Sequence, residues 1–188
     1  TYRHRYCAKY QDECPARGDA RIGGGSFYIS MDYNESMIYL AADHRGFQLK
    51  ESLKQTLIDQ GYPIEDAGAF HYDRTDDYTD FAKTALEKII DNPGLHKGIF
   101  ICGSGHGMNM IADKYRTIRA AMGFNRYVAV QSRQHEDANV LVLAADWVKE
   151  KEASDIVFDW LNAEFTGEER HVRRLAKMSE IEKKNFRY

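Results

Sequence analysis

The chain has 188 residues, a formal net charge of -3, 43% hydrophobic and 29% charged residues, which describes one globular domain with a sizeable core and too little chain for two ordinary ones. That charge argues against generic nucleic-acid or anionic-membrane binding, and no apolar run approaches the roughly 20 residues a spanning helix needs. Three cysteines, Cys7, Cys14 and Cys102, suggest no disulfide framework, and with no apolar signal-peptide core at the N-terminus they predict a reduced, cytoplasmic setting.

Residues 1–36 read as a polar extension carrying Gly23-Gly24-Gly25-Ser26 and no sustained periodicity. They are expected to be poorly packed or to lie on a neighbouring subunit, as an upstream extension, a leader or an expression remnant would. Cys7 and Cys14, with His4 nearby, could suggest a metal site, but no second Cys/His pair completes one, so no metal is expected.

From residue 37 the pattern alternates. Residues 37–42 form an apolar strand, and Phe47, Leu49, Leu53 and Leu57 mark a helix that Gly61 stops. Residues 62–65 make a short second strand. Phe81, Ala82, Ala85, Leu86, Ile89 and Ile90 form a helical stripe ended by Asn92-Pro93-Gly94. The third strand is 98–102, with a helix to about Lys114; the fourth is 118–122, with a helix over 126–135; the fifth is 140–144, with a helix over 149–163. A charged helix rich in Arg and Lys closes the chain from about Glu168. Five such units with near-continuous apolar strands imply an α/β fold whose parallel sheet is covered on both faces, with ligands bound at the carboxyl ends of the strands.

The most informative of those ends is Cys102-Gly103-Ser104-Gly105-His106-Gly107. Gly103, Gly105 and Gly107 let several backbone N-H groups converge on an anion or oxyanion. Beside them a helix N-terminus would stabilise a Cys102 thiolate and bring its pKa toward neutrality, making a base or nucleophile; Ser104 adds a hydroxyl. The plainer alternative makes Cys102 a small core residue at a strand end. The loop does not fit Gly-x-Gly-x-x-Gly, lacks the Gly-Lys-Ser/Thr of a P-loop, and has Met108 where a Cys-x5-Arg phosphatase needs arginine. Asp43 and His44 follow the first strand, His135 ends a helix, and Arg170 and Arg174 stand one helical turn apart, suited to gripping a phosphate. Singly these read as a cap, a surface imidazole and a solvated basic face; together with the Cys102 loop they point to one site.

Ala42-Asp43-His44-x-Gly46-Phe47, Asp77-Tyr78-x-Asp80-Phe81-Ala82, Cys102-Gly103-Ser104-Gly105-x-Gly107-Met108, Ser132-Arg133-x-His135-x-Asp137-Ala138-Asn139-Val140-Leu141 and Arg170-His171-x-x-Arg174 resemble, in order, the ribose-5-phosphate isomerase B and galactose-6-phosphate isomerase family. The resemblance spans residues 37–188, which would be the isomerase domain, its C-terminal basic helix included. It implies a three-layer α/β/α sandwich with a five-stranded parallel, Rossmann-like sheet of order 2-1-3-5-4. It also implies a homodimer or dimer of dimers with active sites shared between subunits, acting on a phosphorylated sugar without metal or organic cofactor. Cys102 would move a proton between C1 and C2 of an open-chain aldose phosphate, Ser104 would assist at the substrate oxygens, and the amides of Gly103, Gly105 and Gly107 would hold the enediolate. His135 of the second subunit, aided by Asp43, would open the sugar ring. His44, Arg170 and Arg174 would hold the phosphate, and Asn139 is carried with the substrate-binding group.

Against that pattern, Asp146 stands where an Arg is common and Glu136 where an Asn is frequent, both adding negative charge; Arg45, where Ala is usual, and Arg126 are the candidate compensations, and His106 replaces a small or apolar residue. Tetrose, pentose and hexose phosphates all stay open as substrates. Two other classes fit the same residues: a Cys-His hydrolase or acyltransferase pairing Cys102 with His135, and a sugar-phosphate-binding regulator without catalysis.

Overall fold

The computed structural model describes residues 36–186; the expectations for residues 1–35, Cys7, Cys14 and His4 included, lie outside the described residues. Five strands, β1 (Ile38–Ala42), β2 (Ile64–Asp66), β3 (Lys97–Cys102), β4 (Ala120–Met122) and β5 (Val140–Ala144), form one parallel sheet in the order β2-β1-β3-β5-β4. Among the described residues six helices accompany them: α1 (Phe47–Asp59), α2 (Tyr78–Ile89), α3 (His106–Ala112), α4 (Arg126–Glu136), α5 (Glu150–Asn162) and α6 (Glu169–Asn185).

Because side chains alternate across a strand, each central strand feeds two cores. Ile38, Leu40, Ala42, Ile99, Ile101, Leu141 and Leu143 pack on Leu53 and Leu57 of α1, Ala129 of α4 and Ile156, Val157 and Trp160 of α5. Tyr39, Ala41, Phe100, Cys102, Val140 and Val142 face Ala82, Ala85, Leu86 and Ile89 of α2 with Met108 and Ala112 of α3. Helices on both faces satisfy a sheet buried on both sides, the three-layer arrangement expected.

Two glycines position the carboxyl edge of this sheet. A Cβ on Gly46 would sit 2.4 Å from the Ile101 carbonyl oxygen, so only glycine lets the entry to α1 lie against β3, which brings the Asp43-His44-Arg45 turn beside Cys102. Gly105, the residue before α3, has φ of 79°, a left-handed conformation that turns the chain from the strand end into the helix.

Several boundaries differ from the sequence reading by a few residues, and three have a local cause. The second strand begins at Ile64 rather than residue 62, since the Tyr62 amide is taken by the Leu57 carbonyl in the turn that ends α1. The fourth begins at Ala120 rather than 118, since the Arg119 amide donates to the Asn139 side chain, outside the ladder. Helix α2 starts at Tyr78, a polar turn ahead of its apolar stripe.

Candidate active site

The carboxyl edge gathers Asp43, His44, Arg45, Cys102 and the glycine loop, as parallel sheets favour. Asp43, 6% exposed, accepts the Arg45 and Gly46 amides on one carboxylate oxygen at 2.9 and 3.0 Å, a local turn that fixes the direction in which the next side chain leaves the sheet. That side chain is His44. Its Nδ1 lies 2.6 Å from Asp76 Oδ1, which also accepts the His44 backbone amide at 3.0 Å; Tyr72 packs edge-on against the ring, centroids 6.4 Å apart.

Cys102 ends β3 with 4% of its surface exposed. Whereas the sequence reading directs the amides of Gly103, Gly105 and Gly107 at the substrate oxygen, those of Met108, Gly105 and Gly107 are directed at the Cys102 sulfur. Their effect on the thiol is smaller than that of burial, which pushes its pKa up; the Asp43 carboxylate pushes the same way, and the three amides pull it back only in part. The expected drift toward neutrality is therefore corrected: Cys102 is a buried thiol with a preformed amide nest, more basic once ionised than an exposed one. Ser104, half-buried at the loop tip, makes no hydrogen bond to another described residue. The Tyr78 ring covers Gly107, where a Cβ would lie 2.6 Å from its Cζ.

Arg45 and Asp146 form a pair at the rim, Nη2 to Oδ2 2.5 Å. The guanidinium lies over Gly103, so close that a Cβ there would be 2.5 Å from its Nε, while the Asp146 amide donates to the Gly103 carbonyl at 3.0 Å. An exposed ion pair contributes about 0–1 kcal/mol to stability. Its consequence is local: the negative charge that Asp146 brings is neutralised in place, and an arginine is held next to the cysteine. Arg126 plays no such part, because Asp159 binds its guanidinium at 2.5 and 3.1 Å. His106 stands at the same rim, edge-on to the exposed Trp147 at 5.9 Å.

His135, Arg170 and Arg174 are elsewhere. His135 lies in the last turn of α4, which ends at Asp137, a residue held by Arg119 and Arg133 at 2.8 Å each. The chain then enters β5 at its amino end, whereas Cys102 pairs with Ala144 at its carboxyl end, so the length of β5, roughly 13 Å at 3.3 Å per residue, separates the two levels. At the distant level His135 stacks on the buried His171, centroids 4.4 Å apart and planes 27° from parallel. Arg170 donates to Glu168 at 2.9 Å, and Arg174 has no partner among the described residues. Within one protomer the imidazole and the thiol do not meet, which removes the Cys-His dyad a single-chain hydrolase would need.

Asn139 requires correction as a substrate-binding residue. It is 2% exposed, donates to the Thr117 and Pro93 carbonyls at 2.9 and 3.2 Å and accepts the Arg119 amide at 2.8 Å, at the amino end of β5. Its amide is spent on tying three loops together. Asn139→Ala is expected to cost about 1–3 kcal/mol through the groups left unsatisfied, seen as a lowered Tm in thermal denaturation, with kcat/KM at 25 °C close to wild type; a large rise in KM without loss of stability would restore its place among the ligands.

Residues that the sequence reading passed over are Asp76, which anchors His44, Tyr78, which covers Gly107, and His171, which backs His135. The last two lie inside the quoted motifs. Asp76 sits in a polar run with no periodicity, and only the fold reveals its partner 32 residues away. Among the described residues, no three His, Cys, Asp or Glu side chains converge as a metal centre requires, and no helix is long and apolar enough to cross a membrane.

The family model described as Ribose/Galactose Isomerase matches residues 38–178. The "Probable ribose-5-phosphate isomerase B" of Mycoplasma genitalium is 38% identical over 146 residues, 78% of this chain and 95% of that protein. Among solved structures, ribose-5-phosphate isomerase B from Mycoplasma genitalium with bound ribulose-5-phosphate aligns with a TM-score of 0.77 at 38% identity, over 79% of this chain and 97% of that one. Ribose-5-phosphate isomerase B from Clostridium thermocellum aligns with a TM-score of 0.74 at 41% identity, over 79% and 98%.

Proposed function

Because the chain belongs to the ribose/galactose isomerase family and is thereby a sugar-phosphate aldose-ketose isomerase, we propose that it interconverts ribose 5-phosphate and ribulose 5-phosphate, with Cys102 as the base and with each site completed by a second copy of the chain. The observation that carries this reading is the sulfur at the end of β3 with three backbone amides directed at it. A proton α to a carbonyl is weakly acidic, so catalysis requires a strong base and a means of stabilising the oxyanion. A thiolate of raised proton affinity supplies the first, taking the proton from C2 of the open-chain aldose and returning it to C1 while the electron pair passes through an enediolate. The loop donors not turned on the sulfur, the Gly103 amide and the Ser104 hydroxyl, would supply the second; losing one such donor typically costs about 100- to 1000-fold in rate. The free Ser104 hydroxyl is suited to carry protons between the two substrate oxygens.

Phosphate recognition divides between two surfaces. His44 and the tethered Arg45 stand beside Cys102, whereas Arg170 and Arg174 stand beside His135 at the other level of the protomer. A second copy that laid its His135 end across the first copy's carboxyl edge would unite these sets, giving ring opening, proton transfer and phosphate binding in one crevice. A cytoplasmic setting, which keeps thiols reduced, suits the proposed base.

Incubation with ribose 5-phosphate in deuterated water tests the reading: ribulose 5-phosphate should form, with solvent deuterium appearing at the carbons between which the proton moves. Calorimetric binding without interconversion or exchange would overturn it in favour of a binding regulator. Faster turnover of a tetrose or hexose phosphate would keep the isomerase chemistry and replace the substrate.

A further inference from the structure

Asp76 lies in the loop between β2 and α2, far in sequence from every catalytic residue named above. Its side chain is 8% exposed. One oxygen accepts both the backbone amide and Nδ1 of His44, at 3.0 and 2.6 Å, and the other is buried with no hydrogen-bond partner. An ionised carboxylate can only accept, so the ring must carry its proton on Nδ1, which leaves Nε2 as the one nitrogen His44 can offer a ligand. The imidazole is 25% exposed, enough to reach one.

We propose that Asp76 is a positioning residue: it locks the His44 ring through Nδ1 and the backbone amide so that Nε2 faces the phosphate of the sugar. This rests on His44 being a phosphate ligand. Held through Nδ1, the ring has only Nε2 left to meet the phosphate, as acceptor of a phosphate O-H or as donor to an ionised oxygen, and charge-assisted bonds are the stronger ones. The other charged or titratable groups around the ring are Asp43 and Arg45 on either side in the same turn, Tyr72 packed edge-on, and Asp73, within electrostatic reach from the β2–α2 loop. Of these only Asp76 touches the imidazole nitrogen.

Two variants, with ribose 5-phosphate as substrate and inorganic phosphate as competing ligand, test the assignment. Asp76→Ala removes the lock and should raise KM and the inhibition constant for phosphate about tenfold, with kcat changed far less. Asp76→Asn keeps an acceptor for both His44 hydrogen bonds, so it should recover most of the affinity that Asp76→Ala loses. A purely structural Asp76 would instead lower Tm and kcat together and leave the phosphate constant untouched, and that outcome overturns the inference. If Asp76→Ala does not fold, Asp76→Leu, which fills the site without an acceptor, decides: a KM and a phosphate inhibition constant identical to wild type overturn the inference. His44→Ala separates the two levels. Unchanged KM in that variant removes His44 from the phosphate site and the inference with it, whereas a raised KM there with wild-type KM in both Asp76 variants overturns the role of Asp76 alone.

Discussion

Cys102→Ala should lower kcat roughly 100- to 10,000-fold, the range a positioned general base contributes, while KM and the far-ultraviolet circular dichroism stay near wild type. The sulfur is a small part of the α2/α3 core, so its removal leaves a cavity worth on the order of 1 kcal/mol and the fold survives. Cys102→Ser should be as inactive, because a hydroxyl in the same nest ionises far less readily than a thiol. The electrostatics add a second signature. Burial, then Asp43, hold the thiol above its usual range against the pull of three amides, so in the free enzyme the thiolate is the minor form at neutral pH. Its fraction grows as pH rises toward that raised value, and kcat/KM should climb through the alkaline range, approaching tenfold per pH unit while the thiol stays mostly protonated. Substantial turnover in Cys102→Ala, or a rate indifferent to pH between 7 and 9, would remove the sulfur from the chemistry and leave the amide nest as a binding feature only.

What a reader of the sequence could and could not see follows from what each residue depends on. The strand and helix pattern depends on local periodicity, and the apolar runs at 37–42, 98–102 and 140–144 with their intervening stripes appear, within a residue, as the central strands and their helices. The amide nest is equally local, since Gly105 and Gly107 leave the backbone free to converge with the Met108 amide on the strand end before them. The proton affinity of Cys102 is not local. It is set by how completely helices from distant parts of the chain cover the strand end, the core placement that the sequence leaves open beside the helix-dipole reading. Asn139 went astray for a related reason: it stands four residues after His135 in the same motif, but the turn at Asp137 separates their roles, sending Asn139 to the loop carbonyls before β5. Arg45 and Asp146 are 101 residues apart. As two departures from the family pattern they were legible one by one, and their pairing over Gly103 emerges only when β1 and β5 are set on either side of β3.

Mixing two inactive variants should restore activity. If each site takes Cys102 from one subunit and His135 from the other, Cys102→Ala and His135→Ala homodimers have no intact site, yet a heterodimer has one: the thiol comes from the His135→Ala chain and the imidazole from the Cys102→Ala chain. Random reassortment makes half of the dimers mixed, so about a quarter of wild-type activity per site should return, from a baseline near zero. Sites contained in single subunits would give the opposite result, because no chain in the mixture carries both residues. The surface of the protomer favours sharing. Phe70, Tyr72, Phe124, Tyr127 and Trp147 are all exposed, and all follow strand ends, so they rim the carboxyl edge where Cys102 lies. Helix α6 buries only His171 and leaves Val172, Met178 and Ile181 largely exposed. Aromatic and aliphatic side chains exposed around a polar crevice are the composition of a subunit interface, and a second copy seated there would bring an imidazole to a thiol that its own chain holds the length of a strand away. Co-expression of differently tagged variants, tandem purification of the mixed species and an isomerase assay decide the point: an inactive mixed dimer would mean that neither chain completes the other.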